Sequence, residues 1–169
     1  MIFMSRSTKP PATGSAHARE PSTHHASFSI ERTYPSAPAR VFAAWASQAA
    51  KARWFSGADE WTRQPHQLDF RVGGRETVAG SPPGGQLHRY EATYHDIVAD
   101  QRIVSTYDMY LDATRISVSL ATVELAPAGT GTRLTYTEHG VYLDGYDDAG
   151  SRERGTRELL DKLAAALSH

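Results

Sequence analysis

The stretch RVGGRETVAGSPPGGQLHRYEATYHDI, from Arg71 to Ile97, contains two glycine pairs. Such pairs occur in phosphate-binding loops of nucleotide-binding proteins and in the turns of antiparallel sheets. A glycine loop that binds phosphate lies between a strand and a helix, so that backbone amides and the helix dipole point at the anion. Neither Gly73-Gly74 nor Gly84-Gly85 is followed by a helical pattern, and both are followed by strand patterns. Glycine pairs between strands are typical of tight hairpin turns. The stretch therefore predicts corners of an antiparallel sheet and argues against a nucleotide site.

Strand patterns occupy the whole middle of the chain around this stretch. Six runs rich in Thr, Val, Ile and Tyr follow one another at hairpin spacing between residues 59 and 142. Such spacing predicts an antiparallel meander. Pro65 divides the first run and is expected at a bulge or a sheet edge. A further strand, SFSIERTYP, is predicted to begin at Ser27 and to end at Pro35.

Helical patterns flank these strands. The segment SAPARVFAAWASQAAKARWFSG predicts two short helices at about 38–47 and 49–55, with Ser36 as the first N-cap and Pro38 in the first turn. The segment SRERGTRELLDKLAAAL predicts one long C-terminal helix, because its leucines recur on one stripe. Gly155 and Thr156 are small, weak helix formers in the middle of that helix. Their presence indicates that something needs room at that point.

Composition limits the classes of function. The 169 residues include 18 basic and 19 acidic side chains, a formal net charge of -1, so electrostatic binding to nucleic acid or to an anionic membrane has no support. The chain contains no cysteine, which excludes disulfides and thiolate chemistry and fits a cytoplasmic location. No apolar run reaches the roughly 18–20 residues that cross a bilayer, and no secretory signal is expected. Residues 1–26 show no apolar period and are predicted to be a disordered tail.

The order of these elements and several phrases resemble a known family. The phrases TYPSAPARVFAAWASQAAKARWFSG, LDFRVGGRE, YHDIVADQRIV, VELAPAGTGTRLTYTEHG and LLDKLAAAL are similar, in this order, to phrases of the proteins named activator of heat-shock-protein-90 ATPase homologue-like. That family belongs to the START-like, or SRPBCC, superfamily. The resemblance implies an α+β helix-grip fold over residues 27–169. Its parts are a curved antiparallel sheet of six or seven strands around the long C-terminal helix, two short helices after the first strand, and a cavity between sheet and helix.

The resemblance implies only a general class of function, because proteins with this fold have many different functions. Its members bind lipids, sterols, polyketides and other apolar molecules, some are cyclases or hydrolases, and one group assists a chaperone. This chain departs from the family pattern at three places. The motif Glu138-His139-Gly140 stands where many relatives have HEG, Thr156 where many have Trp, and Ser105 where many have Phe. The two smaller side chains predict a larger or more open space under the sheet.

Alternation along the strands and the helical period predict which side chains face that space. The predicted ligand-binding set is His88, Tyr90, Tyr94, Ser105, Tyr107, Met109, Tyr136, Glu138, Arg152, Thr156, Leu159 and Leu163, with Arg152 at the rim. Ordinary core packing explains the leucines and Met109 at least as well. Four tyrosines on neighbouring strands are more typical of a lining with polar handles, because each buried hydroxyl needs a partner.

Two titratable groups, His88 and Glu138, are predicted inside the sheet, and they are the candidate catalytic residues for an acid–base mechanism. A salt bridge or a solvent-facing pair is the simpler interpretation of these two residues and is favoured. The histidines lack the short-range spacing of a zinc site, so neither a metal nor another cofactor is expected. No serine lies in the context of a nucleophile elbow.

The sequence therefore favours a binding protein for an apolar or aromatic small molecule, lipid-like or polyketide-like. A cyclase or hydrolase that uses the same cavity is one alternative, and a module that interacts with a chaperone is the other. Three partners stay open: the small apolar or aromatic ligand, a chaperone, and a second copy of the chain in a homodimer. Nucleic acid and membrane insertion are not expected.

Overall fold

The structure, a computed structural model, describes residues 19–169. These residues form eight strands and three helices in the order β1 (Thr23–Tyr34), α1 (Pro38–Ala46), α2 (Gln48–Lys51), β2 (Thr62–Arg63), β3 (Gln67–Leu68), β4 (Arg75–Ser81), β5 (His88–Val98), β6 (Arg102–Leu111), β7 (Thr114–Ala128), β8 (Gly131–Leu143) and α3 (Ala149–Leu167). The predicted order of strand, two short helices, meander and long final helix is confirmed.

The strands form one antiparallel sheet in the order β1-β8-β7-β6-β5-β4-β2, and β3 pairs with β4 beside β2. The strands from β4 to β8 follow the chain as a meander, and β1 closes the sheet by pairing with β8. The α+β helix-grip fold is confirmed. The sheet has eight strands rather than six or seven, because Pro65 interrupts the pattern and leaves two short strands in place of one.

Both glycine pairs are corners of the sheet. Gly73 and Gly84 have φ angles of 81° and 68°, a conformation that residues with a Cβ atom rarely adopt. The Gly73 amide donates a hydrogen bond to the carbonyl of Tyr94 at 2.8 Å. Strand β4 follows the first pair and strand β5 follows the second, so neither pair precedes a helix that could bind phosphate.

The short helices differ from the prediction at their ends. The N-cap of α1 is Ala37, which makes no side-chain capping bond, so the assignment of Ser36 as the cap is wrong. The Ser36 carbonyl instead accepts a hydrogen bond from the Thr132 hydroxyl at 2.6 Å. Helix α2 ends at Lys51 rather than near residue 55, because the chain turns there and directs Trp54 into the core. The Trp54 indole donates to the Ala44 carbonyl at 3.0 Å.

Strand β1 begins earlier than the sequence pattern indicates. It starts at Thr23, which pairs with Leu143, and not at Ser27, so the predicted tail boundary at residue 26 is wrong. Residues 23–26 lack an apolar face, but backbone pairing with β8 needs none, and the Ser27 hydroxyl bonds to the His139 ring at 2.7 Å. Residues 1–18 of the predicted tail lie outside the described residues.

Helix α3 lies against β1 and α1 and completes the core. Its predicted stripe is buried, namely Leu159, Leu160, Leu163 and Leu167. The buried Tyr34 hydroxyl of β1 donates to the Leu160 carbonyl at 3.0 Å, which fixes the helix against the sheet edge. A bilayer-spanning helix is not found among residues 19–169.

Candidate functional site

The residues predicted to line a site converge on the interior between the sheet and α3. Eleven of the twelve are buried, namely Tyr90, Tyr94, Ser105, Tyr107, Met109, Tyr136, Glu138, Arg152, Thr156, Leu159 and Leu163. The twelfth, His88, is half-buried. They come from β5, β6, β8 and α3. The alternation of the strands predicted the burial of the seven buried residues from β5, β6 and β8, and the helical period predicted that of Thr156, Leu159 and Leu163.

Arg152 lies at the centre of a buried polar network. The predicted rim position is wrong, because the residue is 0 % exposed. Its Nη1 donates to the Tyr107 hydroxyl at 2.9 Å, and its Nη2 donates to the Ser117 hydroxyl at 2.7 Å and to Asp147 Oδ2 at 2.7 Å. Burial alone lowers the pKa of Arg152, but the nearby oxygens of Tyr107, Glu138 and Asp147 raise it further than burial lowers it. The guanidinium therefore stays charged inside the protein.

Glu138 is the second charged group of this network. Its Oε1 accepts hydrogen bonds from the hydroxyls of Tyr107 at 2.8 Å and Tyr136 at 2.6 Å. Its Oε2 lies 3.8 Å from Arg152 Nη1 and makes no hydrogen bond within residues 19–169. Burial raises the pKa of both tyrosines well above 10, so both hydroxyls remain donors to the carboxylate.

A second buried network lies beside α2 and was not predicted. The Lys51 ammonium donates to Glu76 Oε2 at 2.7 Å, and the Tyr94 hydroxyl donates to the same oxygen at 2.6 Å. The His66 Nε2 atom lies 2.7 Å from Glu76 Oε1. Burial by itself raises the pKa of Glu76, but the Lys51 charge and the hydrogen bonds from His66, Lys51 and Tyr94 lower it below its usual range.

Part of this second network had a sequence signal. Glu76 and Val78 lie on the same buried face of β4, so the two-residue period of the strand predicts that the Glu76 carboxylate points inward. Lys51 had no comparable signal, because it lies in a helix of four residues. Its ammonium lies 4.4 Å from the Phe55 ring centroid, and that aromatic contact forms only when the chain turns after α2.

Aromatic rings connect the two networks. Tyr90 packs against Phe55 at 5.1 Å on one side and against Tyr107 at 4.8 Å on the other, measured between ring centroids. Tyr94 belongs to the second network, whereas Tyr107 and Tyr136 belong to the first. The interior is therefore a continuous aromatic region with a buried ion network at each end.

The two candidate catalytic residues lie apart. His88 is on β5 and its ring centroid is 4.8 Å from that of Trp61. Glu138 is on β8, and β6 and β7 separate these two strands. Among residues 19–169, no three histidine or acidic side chains come close enough to hold a metal ion together.

An open pocket of about 380 Å³ lies away from this interior. It is at the end of the sheet near the β5–β6 turn, and Arg102, Glu124 and Arg133 contribute to its walls. None of its lining residues belongs to the predicted ligand-binding set.

Comparison with known proteins identifies the family. The family model described as "Activator of Hsp90 ATPase homolog 1-like protein" matches residues 35–168, most of the chain. The chain belongs to this family. The resemblance read from the sequence is thus confirmed, and the match spans the region from the start of α1 to the end of α3.

Solved structures of other proteins share the family's fold with this chain. An uncharacterised protein from Rhizobium leguminosarum is 44 % identical, with a TM-score of 0.84 over 88 % of this chain and 98 % of its own. The Mll3558 protein of Rhizobium loti is 50 % identical, with a TM-score of 0.80 over 86 % and 99 % of the two chains. A protein from Chromobacterium violaceum, at 23 % identity and a TM-score of 0.72, shows the fold alone. No curated protein matches the chain.

Proposed function

We propose that the protein binds a small, mainly apolar or aromatic molecule in the interior between the sheet and α3. The observation that carries this proposal is the cluster of Tyr107 and Tyr136 around the buried Glu138–Arg152 pair. Sites for small molecules are mostly apolar and aromatic, with a few placed polar groups that orient the ligand. This interior has that composition.

The energetics of the buried charges support a functional role for them. Removing charges from water is costly, and well-packed apolar residues in their place are often as stable or more stable. The interior nevertheless retains Arg152, Glu138, Lys51 and Glu76, each at most 2 % exposed. A role in recognising a polar part of a ligand explains why such groups persist where apolar packing would serve stability.

Binding in this interior requires side chains to move, because Arg152 and the tyrosines occupy it. The small residues Ser105 and Thr156, which stand where many relatives carry Phe and Trp, favour such adjustment by lowering the volume to be displaced. The absence of cysteine is compatible with the reducing cytoplasm, where we propose that the protein acts.

The other two functions have less support. An acid–base enzyme built on His88 and Glu138 needs both groups at one substrate, whereas two strands separate them. A chaperone-activating role rests on the family description, and no contact or surface of the described residues favours it over ligand binding. A homodimer likewise stays open.

The test is binding of a panel of fatty acids, sterols and polyketide-like aromatic compounds, measured by thermal shift and by amide chemical shifts in NMR spectra. We expect at least one aromatic compound to raise the melting temperature and to shift amides of β5, β6, β8 and α3. If no compound binds, or if the shifted amides surround Arg102 and Arg133 at the open pocket, the proposal is wrong.

A matched pair of variants sharpens this test. Tyr107→Phe removes an interior hydroxyl that bonds to Glu138, whereas Tyr110→Phe removes a hydroxyl that bonds to Arg115 in the exposed part of the sheet. Loss of one ligand hydrogen bond is expected to weaken binding of an oxygen-bearing compound about tenfold. The Tyr110 variant should bind as the natural protein does. Equal effects of the two substitutions would contradict binding in the interior.

A further inference from the structure

The carboxylate of Asp147 is the part of the Arg152 network that comes from a connecting segment. Tyr107, Ser117, Glu138 and Arg152 all lie in strands or in α3, whereas Asp147 lies between β8 and α3. Its Oδ2 accepts from Arg152 Nη2 at 2.7 Å, and its Oδ1 accepts from the backbone amide of Asp148 at 2.8 Å. The side chain thus fills a carboxylate position that the rest of the fold surrounds.

The Arg152 guanidinium needs a carboxylate in that position. Its hydrogen bonds to Tyr107 and Ser117 go to neutral hydroxyls, and Glu138 Oε2 is 3.8 Å from its Nη1. A buried cation that loses its anionic partner is strongly destabilised. Asp147 is the closer of the two carboxylates beside Arg152, at 2.7 Å against 3.8 Å for Glu138, so its departure costs least when another anion takes its place, and such an exchange leaves the net charge of the interior unchanged.

A further polar group beside the guanidinium has capacity to spare. The Tyr142 ring centroid lies 5.3 Å from Arg152 Cζ, and the residue is 2 % exposed. Within residues 19–169 its hydroxyl makes no hydrogen bond, although buried hydroxyls normally have a partner. An incoming carboxylate in this region would find a donor that Asp147 does not use.

The segment that carries Asp147 is held by Tyr146, which packs against the core, and by contacts with residues that precede β1. Asp144 and Gly145 form a turn with φ angles of 58° and 69°. Ser22 exchanges hydrogen bonds with Asp144 at 2.9 Å, and the Arg19 guanidinium lies 4.1 Å from the Tyr146 ring centroid. The β7–β8 ladder ends at Tyr142, so Asp147 lies outside it and a movement of its side chain leaves that pairing intact.

We propose that the ligand is an aromatic carboxylic acid whose carboxylate replaces Asp147 on Arg152 and whose ring packs against Tyr107 and its neighbours. Asp147 is then an internal competitor that holds Arg152 paired while the site has no ligand. This inference rests on the proposed function, since it names the chemical class of the molecule bound in the same interior.

The experiment compares three acids, benzoate, 2-naphthoate and biphenyl-4-carboxylate, with the matching neutral alcohols. Affinity is measured by titration calorimetry for the natural protein and for the variants Asp147→Asn and Asp144→Asn. Asp147→Asn should tighten binding of an acid about tenfold, because the conformation in which the Asp147 carboxylate is paired with Arg152 no longer competes with the ligand. The alcohols should not gain affinity, and Asp144→Asn, on the same segment, should behave as the natural protein does.

A second measurement needs no variant. In the natural protein the Asp148 amide donates to Asp147 Oδ1, so an acid that displaces Asp147 should shift that amide resonance, whereas an alcohol should not. If alcohols bind as well as acids, or if acids bind without moving the Asp148 amide, this inference is wrong and the proposed function stands. If neither acids nor alcohols bind, this inference is wrong, and the panel of fatty acids, sterols and polyketide-like compounds decides the proposed function separately.

Discussion

The ammonium of Lys51 lies 2.7 Å from Glu76 Oε2, and both side chains are buried. The pair joins α2 to β4, and Tyr94 and His66 complete the coordination of the carboxylate. Because Phe55 and Trp45 surround the ammonium at 4.4 and 5.4 Å from their ring centroids, water has little access to it. This arrangement positions the short helices on the sheet.

Removing one member of this pair should destabilise the fold strongly. Lys51→Met leaves the Glu76 carboxylate buried without its cation, and a loss of about 3–5 kcal/mol in the free energy of unfolding is expected. Urea denaturation followed by circular dichroism measures it. The control is Arg71→Met, which breaks an ion pair with Asp69 that is largely exposed and should cost at most about 1 kcal/mol. Similar losses in the free energy of unfolding for both variants would show that the buried pair contributes no more to stability than the exposed pair.

The same carboxylate predicts a dependence of stability on pH. Burial alone would raise the pKa of Glu76. The charge of Lys51 and the hydrogen bonds from His66, Lys51 and Tyr94 outweigh burial and hold the pKa of the Glu76 carboxyl in the folded protein below its usual range. A group whose pKa is lowered by folding stabilises the fold above its unfolded pKa, about 4.3 for glutamate. That contribution should disappear as the pH falls below about 4.3 and through the folded value.

The measurement is the free energy of unfolding between pH 3 and pH 7 for the natural protein and for Glu76→Gln. The variant should be less stable at pH 7 and should show a flatter profile at acid pH. Asp69→Asn, which changes an exposed carboxylate, serves as the control and should keep the steep profile. A variant profile parallel to that of the natural protein would mean that other carboxylates cause the acid transition.

The third prediction concerns Gly73, in the turn between β3 and β4, where a substitution tests backbone conformation without changing side-chain packing. A Cβ atom at Gly73 would meet nothing within 4 Å, while its φ angle is 81°. Gly73→Ala should therefore cost about 1–2 kcal/mol through backbone strain alone. Gly73→Asn should cost less, because asparagine tolerates this region better than alanine does. Thermal and urea unfolding measure both, and an alanine variant as stable as the natural protein would contradict the account.

Local periodicity was sufficient to predict most strands and helices and the direction of most interior side chains. Tyr90, Tyr107 and Tyr136 alternate with polar neighbours on their own strands, and that period of two is visible without any partner strand. The order of these elements, together with five phrases that resemble the family, then implied the helix-grip fold. The glycine pairs were assigned to turns for the same reason, since the residues after them have strand character.

Contacts between distant segments were beyond the reach of those patterns. Arginine is usually found at the surface of a protein. The burial of Arg152 depends on Tyr107, Ser117 and Glu138, which lie on three different strands. Lys51 and Glu76 are 25 positions apart, and only the docking of α2 on β4 makes each the partner of the other. The start of β1 at Thr23 likewise depends on pairing with β8.

The amino-acid sequence by itself determined the order of the main strands and helices and which faces turn inward, because those properties depend on neighbours within a few positions. The tertiary structure decided how the buried charges are neutralised. A charge can leave water only when its counter-charge and hydrogen-bonding partners surround it, and for Arg152 and Glu76 those partners come together only in the folded chain.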